Sequence, residues 1–156
     1  MHNYSLWTEG EVRTPSPRRP GERETHGNRR TQVLDFDIAV ERQPEQPVIA
    51  HVTGSIDLLT APALRVCVED CIHGSRADGN GMVLDLSRVG FLAAAGVTVL
   101  ADTEHRAGRE NLAWAVVANT RPVIRPLDLL GLRDQLPTYD SVPVAVDAVC
   151  ALARCS

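Results

Sequence analysis

From residue 31 onward the chain alternates short apolar runs with turn signals, and that alternation limits the fold more than any other feature of the sequence. Val33, Leu34, Phe36, Ile38 and Val40 largely alternate with polar residues, the spacing of a half-buried strand. A turn through Gln43-Pro44-Glu45-Gln46-Pro47 leads into Val48-Ile49-Ala50-His51-Val52, the second arm of a hairpin. Thr60-Ala61-Pro62 has the form of an N-cap with proline just inside a helix. That helix is expected to run to about His73, with Gly74 stopping it. Met82-Val83-Leu84-Asp85-Leu86 is a compact apolar strand of the kind buried inside a sheet. A helix over Ala95–Ala107 ends at Gly108, and a strand follows over Leu112–Val117. A short helix from Pro122 to Leu130 closed by Gly131, a short strand over Leu136–Tyr139 and a last helix over Pro143–Ala153 complete the series. The order β-β-α-β-α-β-α-β-α predicts a single α/β domain. Its sheet is mixed and mostly parallel, with about five strands, right-handed crossovers and about four helices largely on one face.

At 156 residues the chain has the length of one domain, and its hydrophobic fraction of 44% with only 4% aromatics calls for a core of Val, Leu, Ala and Ile. Residues 1–30 hold Pro, Gly, Arg and Glu with almost no aliphatic side chains, so they are expected to form a disordered tail ahead of a domain spanning 31–156. Within it Thr14-Pro15-Ser16-Pro17 has the composition of a phosphorylation or docking segment and equally of a plain extension, which composition favours. No run of 18 apolar residues occurs, and the N-terminus has no apolar signal segment. The expected location is the cytoplasm, with no membrane contact.

All 16 basic residues are arginine and none is lysine. A Walker-type phosphate loop, a Schiff-base enzyme and a kinase-fold enzyme each need a lysine, so those chemistries are excluded. A response-regulator receiver fails on the same ground. Residues 1–30 carry six Arg against four Glu (+2), whereas residues 31–156 carry ten Arg against sixteen acids (−6). An acidic domain is a poor nucleic-acid binder, because phosphate neutralisation supplies most of that affinity. Cys67, Cys71, Cys150 and Cys155 form no Cys-x-x-Cys pair and have no histidine at zinc-finger spacing, so neither a metal nor a cofactor is expected.

Few residues suggest catalysis. Ser55, His51 and Asp57 are the right types for a triad, but His51 and Ser55 flank one turn and there is no Gly-x-Ser-x-Gly elbow. His51 reads instead as a strand residue facing solvent or a polar neighbour. His73 and His105 sit at helix ends, where a cation is favoured in any case. Asp57 and Asp85 lie near strand ends, where open α/β sheets gather functional groups, and satisfying backbone donors at a turn accounts for them better than a divalent metal does. Cys67 and Cys71 share one helix face as small buried hydrophobes. Nothing in the sequence lowers a thiol pKa.

Several segments in order resemble one family. Gly54-Ser55-Ile56-Asp57-Leu58-Leu59-Thr60-Ala61-Pro62-Ala63-Leu64 resembles the Gly-Glu-Leu-Asp…Thr-Ala segment of the STAS-domain anti-sigma factor antagonists, and Val83 to Leu92 resembles that family's strand leading into its regulatory loop. Arg121 to Leu127 and Leu130-Gly131-Leu132 are similar to its third helix and the ending of that helix. The resemblance covers roughly residues 33–153. It implies a STAS-like fold and a protein that binds an anti-sigma factor, commonly one with a serine-kinase ATPase fold, and so frees a sigma factor. The kinase partner phosphorylates a serine in an Asp-Ser-Ser-Gly loop at the start of the second helix, which ends the interaction.

At that loop this chain departs from its relatives. Ala93 stands at the Asp, Ala94 at the phosphorylated Ser and Ala95 at the second Ser, with Gly96 retained. The resemblance therefore implies a non-enzymatic antagonist with no phosphorylation control at the usual position, Ala94 being a degenerate phosphosite. Ser87 and Thr98 lie near enough to substitute, and each is also ordinary in a turn or helix. The expected partner surface comprises Asp57, Leu58, Leu59 and Thr60 of one turn, Leu92, Ala93, Ala94, Ala95 and Gly96 of the loop, and Thr98 on the helix. An exposed apolar loop serves a homodimer as readily as a partner. Two other readings stay open on the residues alone: a STAS-like scaffold or nucleotide-sensing subunit of another signalling or transport complex, and a small enzyme using Asp57 or Asp85.

Overall fold

The computed structural model describes residues 36–155. The expected tail, together with Val33 and Leu34 of the first strand, lies outside the described residues. The hairpin is β1 (Asp37–Glu41) and β2 (Val48–Ile56), followed by α1 (Ala61–Asp78), β3 (Met82–Leu92), α2 (Ala94–Glu110) and β4 (Trp114–Val117). The chain then forms α3 (Arg121–Leu129), β5 (Thr138–Tyr139) and α4 (Val142–Cys155). The five strands lie in the order β1-β2-β3-β4-β5. β1 is antiparallel to β2 and every other pair is parallel.

The even-numbered side chains of β1, β2, β4 and of β3 as far as Leu86 face α1, α2 and α3. Ala50, Val52, Met82, Leu84, Leu86 and Val116 pack there with Leu64, Val68, Ile72, Leu100, Val123 and Leu127 into the main core. Val83, Ala115 and Val117 face the other way and meet Ala145 and Val149 of α4 in a smaller cluster. Three helices therefore share one face and the fourth covers β3, β4 and β5 on the other. Arg65 with Asp102 at 3.1 Å, and Arg106 with Glu69, tie α1 to α2 along their solvent side.

Several boundaries differ from those expected. Helix α1 passes through Gly74 to Asp78 and is closed by Gly79 in the left-handed region, its N–H bonded to the Ser75 carbonyl. The reason is tertiary: the Arg42 guanidinium from the end of β1 lies where a Cβ on residue 74 would approach it to 3.0 Å, so this glycine makes room and does not stop the helix. Gly108 likewise lies inside α2, and Asn111 at φ 57° is the residue that ends it. Cys67 and Cys71 are buried on α1 as expected.

The largest difference is in β3, which continues six residues beyond Leu86. Its register against β2 shifts twice: His51 pairs Asp85 while Thr53 pairs Arg88, and Gly54 pairs Val89 while Ser55 pairs Phe91. Each shift is a β-bulge that gives β3 one extra residue and turns its pleat over. Gly54 sits at the second with φ 94°, a conformation open to glycine at no steric cost. As a result Leu86, Val89 and Leu92, three residues apart, all reach the main core.

Candidate functional site

Where β2 and β3 end, two connections lie side by side. The first is the Asp57–Thr60 turn. One carboxylate oxygen of Asp57, Oδ1, accepts the backbone N–H groups of Leu59 at 2.9 Å and Thr60 at 3.0 Å. This is the backbone-satisfying role preferred for Asp57 over metal binding. Thr60 takes the N-cap position of α1, but its hydroxyl makes no cap bond. With φ −97° and ψ −18° it already has helical geometry, so Oγ1 turns back, donates to the Ser55 carbonyl at 2.8 Å and accepts the Asp57 N–H at 2.9 Å. The turn is rigidly bonded below and apolar above: Leu58 and Leu59 are 76% and 78% exposed.

The second connection leads into α2. The Ala93 N–H donates to the Ile56 carbonyl at 2.8 Å, extending the β2–β3 pairing to the last residue before the helix. Helix α2 then starts at Ala94, one residue earlier than expected, with Ala93 as an extended N-cap that has no side chain to bond the first turn. Its carbonyl accepts from Gly96 at 2.9 Å and from Val97 at 3.1 Å. Gly96 is required by space: a Cβ there would lie 2.5 Å from Ile56 Cγ2 and 2.7 Å from Leu92 Cδ1. Ala94 is exposed, while Ala93 and Ala95 are half-buried. Thr98 is exposed one turn on, its hydroxyl donating to the Ala94 carbonyl at 3.1 Å. The positive end of the α2 dipole thus emerges between alanines, which bring no charge of their own to it.

Of the residues expected to meet a partner, the structure groups Leu58, Leu59, Ala94 and Thr98 on the surface at this end. Leu92 is 3% exposed and belongs to the core. Its neighbour Phe91, absent from the expected set, is 52% exposed and paired with Ser55. The bulge at Gly54 is what exchanges the two, and period-two alternation carries no sign of it.

The polar residues singled out in the sequence lie elsewhere. Asp85 is not near a strand end but in the middle of the extended β3, 7% exposed, and it bonds His51 Nδ1 at 2.8 Å. His51 Nε2 meets Glu41 Oε1 at 3.0 Å. Ser55 and Asp57 take no part, so the residues considered for a triad do not converge. Burial works against the His51 cation, but the hydrogen bonds and charges of Glu41 and Asp85 outweigh it and raise its pKa. For Asp85 burial pushes upward, and bonds to Ser87 and His51 prevail, holding it below the usual range. No group of three or more His, Cys, Asp or Glu suited to a metal ion occurs among the described residues. No helix there is long and apolar enough to cross a membrane.

A mixed five-stranded sheet, with three helices on one face and one on the other and with an Asx turn and a helix N-terminus side by side at one end, defines a small α/β domain. The family model for the STAS domain matches residues 37–145. The anti-sigma-F factor antagonist RsfB of Mycobacterium tuberculosis is 31% identical over 101 residues, covering 65% of this chain and 80% of the relative. The crystal structure of an anti-sigma factor antagonist from Mycobacterium paratuberculosis is 33% identical, with a TM-score of 0.65 over 73% of this chain and 93% of that one. The crystal structure of a Thermotoga maritima protein, at 19% identity and TM-score 0.62 over 72% of this chain and 93% of that one, shares the fold. The chain belongs to the STAS-domain family of anti-sigma factor antagonists.

Proposed function

We propose that this protein acts in the bacterial cytoplasm by contact alone, binding an anti-sigma factor of the serine-kinase type and thereby freeing a sigma factor. The observation that carries the reading is the surface at the end of β2 and β3, where Leu58, Leu59 and Phe91 stand exposed around the N-terminus of α2. Exposed apolar groups gathered at one end of a small domain mark a protein contact.

Ala94 makes that contact permanent. A phosphate at this position would bring about −1.5 to −2 charges and three strong acceptors to an apolar surface, enough to end a close-packed interaction. An alanine has no oxygen to receive it. Control then rests with abundance or with the partner, and the protein behaves as a relative fixed in its unphosphorylated state.

The test is calorimetric titration of the chain into each kinase-type anti-sigma factor of its own genome, with and without Mg-ATP. Tight binding unchanged by prolonged incubation with ATP is expected. In the Ala94→Ser variant, binding that decays with ATP while phosphate accumulates on Ser would show that only the hydroxyl is missing. No binding to any candidate would overturn the reading in favour of a scaffold role in another signalling or transport complex.

A further inference from the structure

Helix α4 covers β3, β4 and β5 on its side of the sheet. Ile49 of β2 packs against the smaller cluster on this face, and beside it three strands meet through side chains. Glu41 from β1, His51 from β2 and Asp85 from β3 form a continuous chain, with both imidazole nitrogens engaged at 3.0 and 2.8 Å. An imidazole donates through both nitrogens only as the cation, so this arrangement is complete only when His51 carries a proton. The position of the chain matters more than its charge. Asp85 Oδ1 accepts the Ser87 backbone N–H at 3.0 Å, and Ser87 lies inside the first bulge of β3, between the register pairs His51–Asp85 and Thr53–Arg88. The same carboxylate therefore holds the imidazolium with one oxygen and the bulge with the other.

We propose that Glu41, His51 and Asp85 form a proton-operated clasp that fixes the first bulge of β3 and so sets how the outer half of that strand, and the loop after it, are presented. Asp85 is a positioning residue in this scheme. Its effect passes along β3 from Ser87 to Leu92 and reaches the Ala93 amide bonded to Ile56. The inference rests on the proposed function only in assigning a use to that loop. Among the described residues, the register places two further charged groups on the strands flanking β2, one same-side pair along from His51: Asp37 on β1 and Arg88 on β3, both opposite Thr53. Arg42 at the end of β1 is directed to Gly74 of α1, on the other side of the sheet.

The sign of the effect follows from linkage. The raised His51 pKa gives stability that is complete below the ordinary value of 6.5 and is lost as pH rises through the folded value. The lowered Asp85 pKa gives stability present above 3.8 and lost as pH falls through its own folded value. The clasp is closed between the two and opens with the loss of one proton on the alkaline side.

The experiment is nuclear magnetic resonance of the full chain without any partner, following the His51 imidazole and the backbone amides of residues 87–96 from pH 5 to pH 9. Expected are a His51 midpoint above 6.5 and loop amides that move with the same midpoint. In Asp85→Asn, which keeps an acceptor for Ser87, and in Glu41→Gln at the exposed end of the chain, His51 should bind its proton at least about threefold more weakly. A His51 midpoint at or below 6.5, or loop amides indifferent to its titration, would overturn the clasp. Glu41→Gln keeps the test available if Asp85→Asn does not fold. Because no partner is present, the result is independent of whether an anti-sigma factor binds, which the calorimetric titration decides.

Discussion

The inner and outer halves of the central strand pair follow different rules. From Val48 to His51 and from Met82 to Asp85, β2 and β3 pair residue for residue, and β4 continues the same register on the far side. From Thr53 to Ile56 and from Arg88 to Leu92 the pairing is bulged twice, and β4 has already ended at Val117. On β3 the inner half is buried on both faces, while the outer half buries only Val89 and Leu92 and exposes Arg88, Gly90 and Phe91. A regular sheet segment makes a core, and a bulged extension of the same strands carries two connections outward and aims them. In the proposed function the contact surface is carried by the half that breaks the period.

The largest effect is expected inside. Leu84 is 1% exposed at the centre of the inner half, and Leu84→Ala should cost about 2–5 kcal/mol through lost burial and the cavity left behind. Urea denaturation would show it as a fall in midpoint at unchanged slope. Gly96→Ala tests the outer half. The new methyl meets Ile56 and Leu92, so overpacking of about 1–3 kcal/mol is expected, offset in part by the better helix propensity of alanine, about 1 kcal/mol. Partner affinity should fall further than stability does. Equal losses of stability and affinity in both variants would erase the distinction between the halves.

A gain comes next. Ala93 has the extended geometry of an N-cap and no side chain to perform it. Ala93→Asp should raise stability by about 1 kcal/mol, measured as a higher urea midpoint, and should weaken partner binding by bringing charge to the surface. The chain thus forgoes stability available at one position in the loop, as expected where the surface has another use.

The same division decides what the sequence discloses. Alternating apolar residues in β1 and the apolar runs of β2 and the first half of β3 give the order of elements along the chain, and the Thr60-Ala61-Pro62 and Arg121-Pro122 starts place α1 and α3 within a residue. Asp57 through Thr60 is legible as a turn because Asp and Thr state their backbone bonds in their own chemistry. Beyond Leu86 the spacing of Leu86, Val89 and Leu92 fits neither a strand nor a helix, so the outer half passes for a loop, Leu92 for a surface residue, and Phe91 goes unnoticed. Gly74 misleads for a related reason. Its meaning depends on Arg42, thirty-two residues earlier, and no local pattern carries that contact. The pairing of His51 with Glu41 and Asp85 depends in the same way on strand register, which sequence alone does not supply.

The smallest effect on stability is the one that separates contact from architecture most cleanly. Leu58 and Leu59 are three-quarters exposed, and the hydrogen bonds of their turn are made by Asp57 and Thr60 with backbone groups. Replacing both with serine removes apolar surface that the folded chain does not bury, so the urea midpoint should stay within about 0.5 kcal/mol of the parent. Calorimetric affinity for the anti-sigma factor should nevertheless drop by at least about tenfold, since an interface loses its contact energy wherever the anchors are removed. A double variant that binds as well as the parent would move the contact away from the turn. It would leave Phe91 and the α2 N-terminus as the surface, and the bulges would then matter for that single ring and helix end. A double variant that unfolds would mean instead that the two leucines pack against something in solution, and the outer half would have a core of its own.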